Sequence, residues 1–80
     1  LPLETKLVLQ NQMLIAPLGT NQGLHSGKIG IISNSNTDHS NKDWTVLSVK
    51  SSSADYSVIE TLNPNVDLRS MSGKIIRFMD

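Results

Sequence analysis

Asn34, Asn36 and Asp38 stand at every second position of a polar run, residues 34–43 (NSNTDHSNKD), and oxygen ligands at that spacing can curl around a hard cation. A calcium loop also needs Gly at its sixth position and a bidentate Glu at its twelfth. This run has His39 and Thr45 there, and too few carboxylates to supply the charge, so a hydrated hairpin tip is expected instead. Residues 23–29 (GLHSGKI) approximate a phosphate-binding loop, but the first Gly is one residue too close to the Gly-Lys pair. Ile29 stands where a Ser or Thr must hold Mg²⁺, and no helix follows. The two histidines, His25 and His39, lie in polar stretches with no second His and no Cys at ligand spacing. There is no G-x-S-x-G elbow, and eleven serines place some Ser near some His in any fold. Neither a metal, a cofactor nor a catalytic set is expected, and the chain is not expected to be an enzyme.

Binding chemistry has better candidates. A single-strand nucleic-acid site sets aromatic platforms among cations on one sheet face. The available residues are Trp44, Tyr56 and Phe78 with Lys28, Lys50, Lys74 and Arg77. Lys74 and Phe78 share one face of the last strand and Arg77 points to the other. Phe78, flanked by Ile76, is expected in the core, whereas Trp44 opens a strand beside the polar run and is the better exposed candidate, set against the commoner use of a solitary Trp as a core plug in a small barrel. Trp44 could also stack on a sugar ring next to Asn36, Asp38 and His39, which makes a carbohydrate-binding or adhesive module a further possibility. The candidate binding residues are therefore Trp44, Asn36, Asp38, His39, Lys74 and Arg77.

The elements that position these residues are short and β-rich. Eighty residues with 38% hydrophobic side chains, three aromatics and no cysteine make one small domain. Its core must come from Leu, Ile and Val, without a disulfide or thiolate metal staple. A chain this size buries only about 60% of its unfolded surface, so close packing or a partner must stabilise it. Seven basic and seven acidic residues give zero net charge, which disfavours strong attraction to nucleic acid or anionic lipid. No apolar run approaches the ~18 residues of a membrane helix. The chain opens on Leu1 with no signal-peptide pattern and reads as a processed product or one domain of a larger protein or assembly.

Residues 7–16 (LVLQNQMLIA) form either one bent strand or a tight hairpin, stopped by Pro17. Residues 17–27 read as a loop and residues 28–33 (KIGIIS) as a strand. Residues 44–50 (WTVLSVK) and 56–62 (YSVIETL) are further strands around a turn at 51–55. The inner face of the first of these is Thr45, Leu47 and Val49, or else Trp44 and Val46. Asn63, Pro64 and Asn65 start a turn, residues 66–71 can hold one helical or 3-10 turn, and residues 74–79 (KIIRFM) close the chain.

Ser-Gly-Lys-Ile occurs twice, at residues 26–29 and 72–75, each time opening a strand after a long polar connection. The expected fold is all-β, a five- to six-stranded barrel or compact sandwich, with the repeat read either as a duplicated β-loop-β unit or as a chance match of turn residues. The expected core is Leu7, Leu9 and Leu14 from the N-terminal run and Ile29 and Ile31 from the next strand. Leu47, Val49, Val58, Ile59, Ile76 and Phe78 complete it. If the barrel stays open, residues 7–16 and 74–79 are the expected edges. These features favour a non-enzymatic protein-interaction or assembly module whose partner is another protein chain or a second copy. Single-stranded nucleic acid is the alternative.

Overall fold

The computed structural model describes residues 3–33 and 44–79. Its elements are β1 (Leu3–Lys6), β2 (Val8–Gln10), β3 (Met13–Ala16), a 3-10 turn (Thr20–Gln22) and β4 (Ile29–Ser33), followed by β5 (Trp44–Ser52), β6 (Ser57–Thr61), a second 3-10 turn (Leu68–Met71) and β7 (Ile75–Phe78). All strand pairs are antiparallel and form one sheet in the order β1-β7-β4-β5-β6-β3-β2. The outermost strands of that order, β1 and β2, are consecutive parts of one run bent at Leu7, so the sheet curls into a nearly closed barrel. The all-β barrel expected from the sequence is the fold observed. Of the expected edges, residues 74–79 are not one, because β7 lies between β1 and β4; within residues 7–16, β3 lies between β2 and β6 while β2 stands at the end of the strand order, and the other end is β1. The first 3-10 turn lies within the stretch read as a loop, because glycines at 19 and 23 obscure so short a helical segment.

The Ser-Gly-Lys-Ile repeat is structural. In both copies the Lys N–H donates back to the residue three before it, Lys28 to His25 O at 3.0 Å and Lys74 to Met71 O at 3.1 Å. Gly27 and Gly73 carry φ of 92° and 84°, the left-handed backbone that a type II turn requires at its third position. The Gly27 N–H then donates to Val49 O, and the Val49 N–H donates to Lys28 O, both at 2.8 Å. Gly73, Lys74 and Leu7 repeat the pattern at the same distances. Two residues thus oppose one, which is the bulge that a left-handed Gly makes. Leu7 is the bend between β1 and β2, and Val49 precedes the register shift in β5. The two turns set the two bends by which the sheet closes.

The rest of the chain follows the same duplication. Counting β1 and β2 as one bent strand, each half runs strand, strand, 3-10 turn, strand. β1 pairs Glu4 with Arg77 and Lys6 with Ile75 on β7; β5 pairs Val46 with Ile31 and Ser48 with Ile29 on β4. The hairpin pairs Val8–Ile15 and Leu9–Leu14 correspond to Ser51–Val58 and Ser52–Ser57. A pseudo-two-fold axis therefore passes through the ladders joining equivalent strands, at Ile31–Arg77 between β4 and β7 and at Ile15–Val58 between β3 and β6.

Inward positions alternate along each strand, and the barrel is filled by Leu7, Leu14, Leu47, Val49, Ile59, Ile76 and Phe78 as expected. Thr45, Leu47 and Val49 mark the inner face of β5. Corrections fall on β4 and β6. Ile29 and Ile31 are only half-buried on the outside, because Gly30 and Ile32 point inward. A side chain at Gly30 would meet Ile76 Cδ1 at 2.7 Å and Phe78 Cδ1 at 3.0 Å, so the large residues of β7 occupy the space that Gly leaves. Val58 is outward and half-buried, and Leu9 is half-buried. Ala16, Leu24, Ile32 and Met71 join the core unforeseen.

Residues 7–16 contain a hairpin whose two-residue tip, Asn11–Gln12, has φ of 50° and 66°. Two positive φ values are the mark of a type I′ turn, which Asn tolerates and Gln does not. Left-handed backbone costs a side-chain-bearing residue about 1–2 kcal/mol, and Gly loses about 0.5–1 kcal/mol in chain entropy. Gln12→Gly is therefore expected to stabilise the domain by about 0.5–1 kcal/mol. The check is an upward shift of the urea midpoint at constant slope; a lowered midpoint would refute the turn assignment.

Candidate functional site

Among the described residues, a groove of about 510 Å³ lies on the outer face of β1, β7, β4 and β5. Its apolar lining is Trp44, Ile31 and Ile75, and its charged lining is Glu4, Lys74 and Arg77, with Ser33 and Gly73 between. Strand register explains the set. Glu4 opposes Arg77, Arg77 opposes Ile31, and Ile31 opposes Val46, so one row of outward side chains crosses four strands. Trp44 opposes Ser33. The groove is thus centred on the pseudo-two-fold pair Ile31–Arg77 but is chemically lopsided. On one side of the axis Ile31 faces Val46. At the equivalent place on the other side, Arg77 Nε donates to Glu4 Oε2 at 3.0 Å. With both side chains about half exposed, that ion pair contributes ~1 kcal/mol or less to stability. It holds the guanidinium plane against the groove.

Trp44 is 55% exposed, an open surface rather than a core plug. Ile75 on β7, Met79 just after it and Val46 on β5 are also exposed on this side. Of the residues proposed from the sequence, the structure brings together Trp44, Lys74 and Arg77. Lys74 precedes β7 in phase with the inward residues Ile76 and Phe78, yet it lines the outer groove at the bulge formed with Gly73. Asn36, Asp38 and His39 belong to residues 34–43 and lie outside the described residues. Glu4, Ile31 and Ile75 were not foreseen as site residues. The signal for Glu4 is its register against a strand 73 positions away, which no local pattern carries.

The other aromatics do not join Trp44. Phe78 is buried in the barrel. Tyr56 lies beside a second, smaller hollow of about 270 Å³ with Val8, Ile15 and Pro17, on the outer face of β2, β3 and β6. The row of stacking platforms that the nucleic-acid reading requires is therefore not assembled on one face.

Among the described residues no group of three or more His, Cys, Asp or Glu is placed to hold a metal ion, and no helix is long and apolar enough to cross a membrane. Asp67 has its carboxyl held below the usual range, first by the Arg69 N–H at 3.0 Å and then by the Arg69 side chain at 3.3 Å. It caps the second 3-10 turn, and this support is lost as pH falls through the lowered pKa. A third, shallow hollow lies beside that turn, next to Gln12 and Thr61. Compared with known protein families, with curated proteins and with solved structures, the chain matches none of them.

Proposed function

We propose that the domain is a non-enzymatic protein-interaction module of a larger assembly, and that its contact surface is the groove centred on Ile31 and Arg77. The observation that supports this most is the half-exposed Trp44 set beside Ile75 and Ile31, with Arg77 at the rim. Large apolar side chains grouped on one face of a small domain mark a contact surface, and Trp and Arg are the residue types that dominate contact energies.

A display library of random dodecapeptides, selected on the immobilised domain, tests the proposal. Ligands with apolar side chains are expected, and Ile75→Asp is expected to weaken their binding at least tenfold while leaving the fold intact. Failure to select any ligand sensitive to Ile75→Asp would count against the site.

Trp44, Lys74 and Arg77 in one groove also favour a second reading, a site for single-stranded nucleic acid. Two cations release few counterions, so the salt slope should be shallow, about −1.4 for two phosphates. Submicromolar quenching of Trp44 fluorescence by an oligonucleotide, with a salt slope near that value, would place this reading first.

A further inference from the structure

The exposed apolar residues are not scattered. Among the described residues, eight large hydrophobic side chains are exposed. Trp44, Val46, Ile75 and Met79 lie on the outer face around the β4–β7 ladder. Val8, Met13 and Tyr56 lie on the outer face around the β3–β6 ladder, where Ile15 and Val58 are paired. Leu62, the eighth, directly follows β6. Going round the barrel, these two ladders are separated by half the strands in either direction. The pseudo-two-fold axis passes through both, so the two apolar faces are at opposite ends of it.

The faces also differ in charge. Among the described residues, the β4–β7 face carries Lys6, Lys74 and Arg77 with Glu4. The β3–β6 face carries Asp55 and Glu60, with Lys50 at the border in β5. Among the described residues, cations thus outnumber acids on one apolar surface and acids outnumber cations on the other.

We infer that the partner of the Trp44 face is the β3–β6 face of a second copy of this chain, so that copies stack head to tail. This rests on the interaction reading above and specifies its partner. Opposite charge favours the mixed contact over either face meeting itself, where like charges would be apposed. A contact between unlike faces is heterologous. Because the faces lie at opposite ends of one axis, repetition produces an open stack rather than a closed dimer.

Sedimentation of the intact chain against concentration is the test, combined with one variant per face. Ile75→Asp places a carboxylate on the cationic face, and Val8→Lys places an ammonium on the acidic face. Both positions are about half exposed, at 50% and 42%, so the barrel should persist, as circular dichroism will show. Should either variant fail to fold, Trp44→Thr and Tyr56→Thr replace them.

The unmodified chain is expected to grow beyond a dimer of 8.8 kDa units as concentration rises. Each variant alone should stay monomeric, because every contact needs both faces. An equimolar mixture should form a 1:1 dimer and stop, since only one productive contact remains. A chain that is monomeric at every concentration overturns the inference, as does a variant that dimerises alone or a mixture that stays monomeric. If the chain is monomeric yet peptide ligands sensitive to Ile75→Asp are selected, the self-partner fails and the interaction site stands. If neither is seen, both fall.

Discussion

Gly19→Ala is expected to destabilise the domain by about 3 kcal/mol or more, a large share of the stability available to a chain of this size. Gly19 lies where the segment after β3 is clamped onto the turn between β5 and β6. The Thr20 N–H donates to Ser53 O at 2.8 Å and the Asn21 N–H to Ala54 O at 3.0 Å. The buried Ser57 hydroxyl donates to Leu18 O at 2.7 Å. A β-carbon on residue 19 would overlap the carbonyl oxygen of Ser53 and stand 2.7 Å from the carbonyl carbon and oxygen of Ala54. These are backbone atoms, so no rotamer change can relieve the clash. The segment must lift, and with it go the two backbone hydrogen bonds and the seat of Leu24, which is fully buried and whose N–H donates to Gly19 O.

Gly23→Ala is the matched control. Gly23 has φ of 89° with no atom within 4 Å of an added β-carbon, so only the left-handed backbone is penalised, at about 1–2 kcal/mol. Urea midpoints of the two variants measure the difference. A Gly19→Ala loss no larger than that of Gly23→Ala would show that the clamp can relax.

Local chemistry was legible in the sequence where it is set by neighbouring residues. The two Ser-Gly-Lys-Ile copies could be read because a left-handed Gly before a strand is a local requirement, and Gly27 and Gly73 both meet it. The strands beginning near Ile29, Trp44, Ser57 and Ile75 were also legible, since β-branched runs lie between polar turns. The facing of β4 was not. Ile29, Ile31 and Ile32 suit either phase, and the choice is made by Ile76 and Phe78, which fill the space over Gly30. β1 was passed over because Leu3–Lys6 alternates only between half-buried and exposed, with no fully buried residue to mark a core face. Leu24 and Met71 enter the core as single apolar residues from polar stretches, without any periodicity to announce them.

The candidate site was half legible for the same reason. Trp44 and Arg77 stand out by residue type, and three of the six proposed residues meet in the groove. Ile31 and Ile75 gain their meaning from the barrel, which turns outward two residues that look like core. β7 is paired on both sides, so strand addition is left to the outer sides of β1 and β2. The two opposed apolar faces offer side-chain surface for contact as well.

The corrected facing of β4 yields the second large effect. Ile32 is 1% exposed among the core side chains, and Ile32→Ala is expected to cost about 2–5 kcal/mol through lost burial and the cavity left behind. Ile31, one residue earlier, is half-buried against solvent between Arg77 and Val46, and Ile31→Ala is expected to cost about 1 kcal/mol or less. The expectation that Ile31 is the core residue predicts the reverse order. Denaturant midpoints of the two variants decide between them, and equal losses would mean that the facing of β4 is not fixed. The pair also separates stability from contact. Ile31→Ala removes apolar surface from the centre of the groove without opening the core, so it should weaken association through the Trp44 face while the barrel keeps nearly its full stability. Ile32→Ala should do the opposite, lowering the midpoint strongly while the molecules that remain folded associate as before.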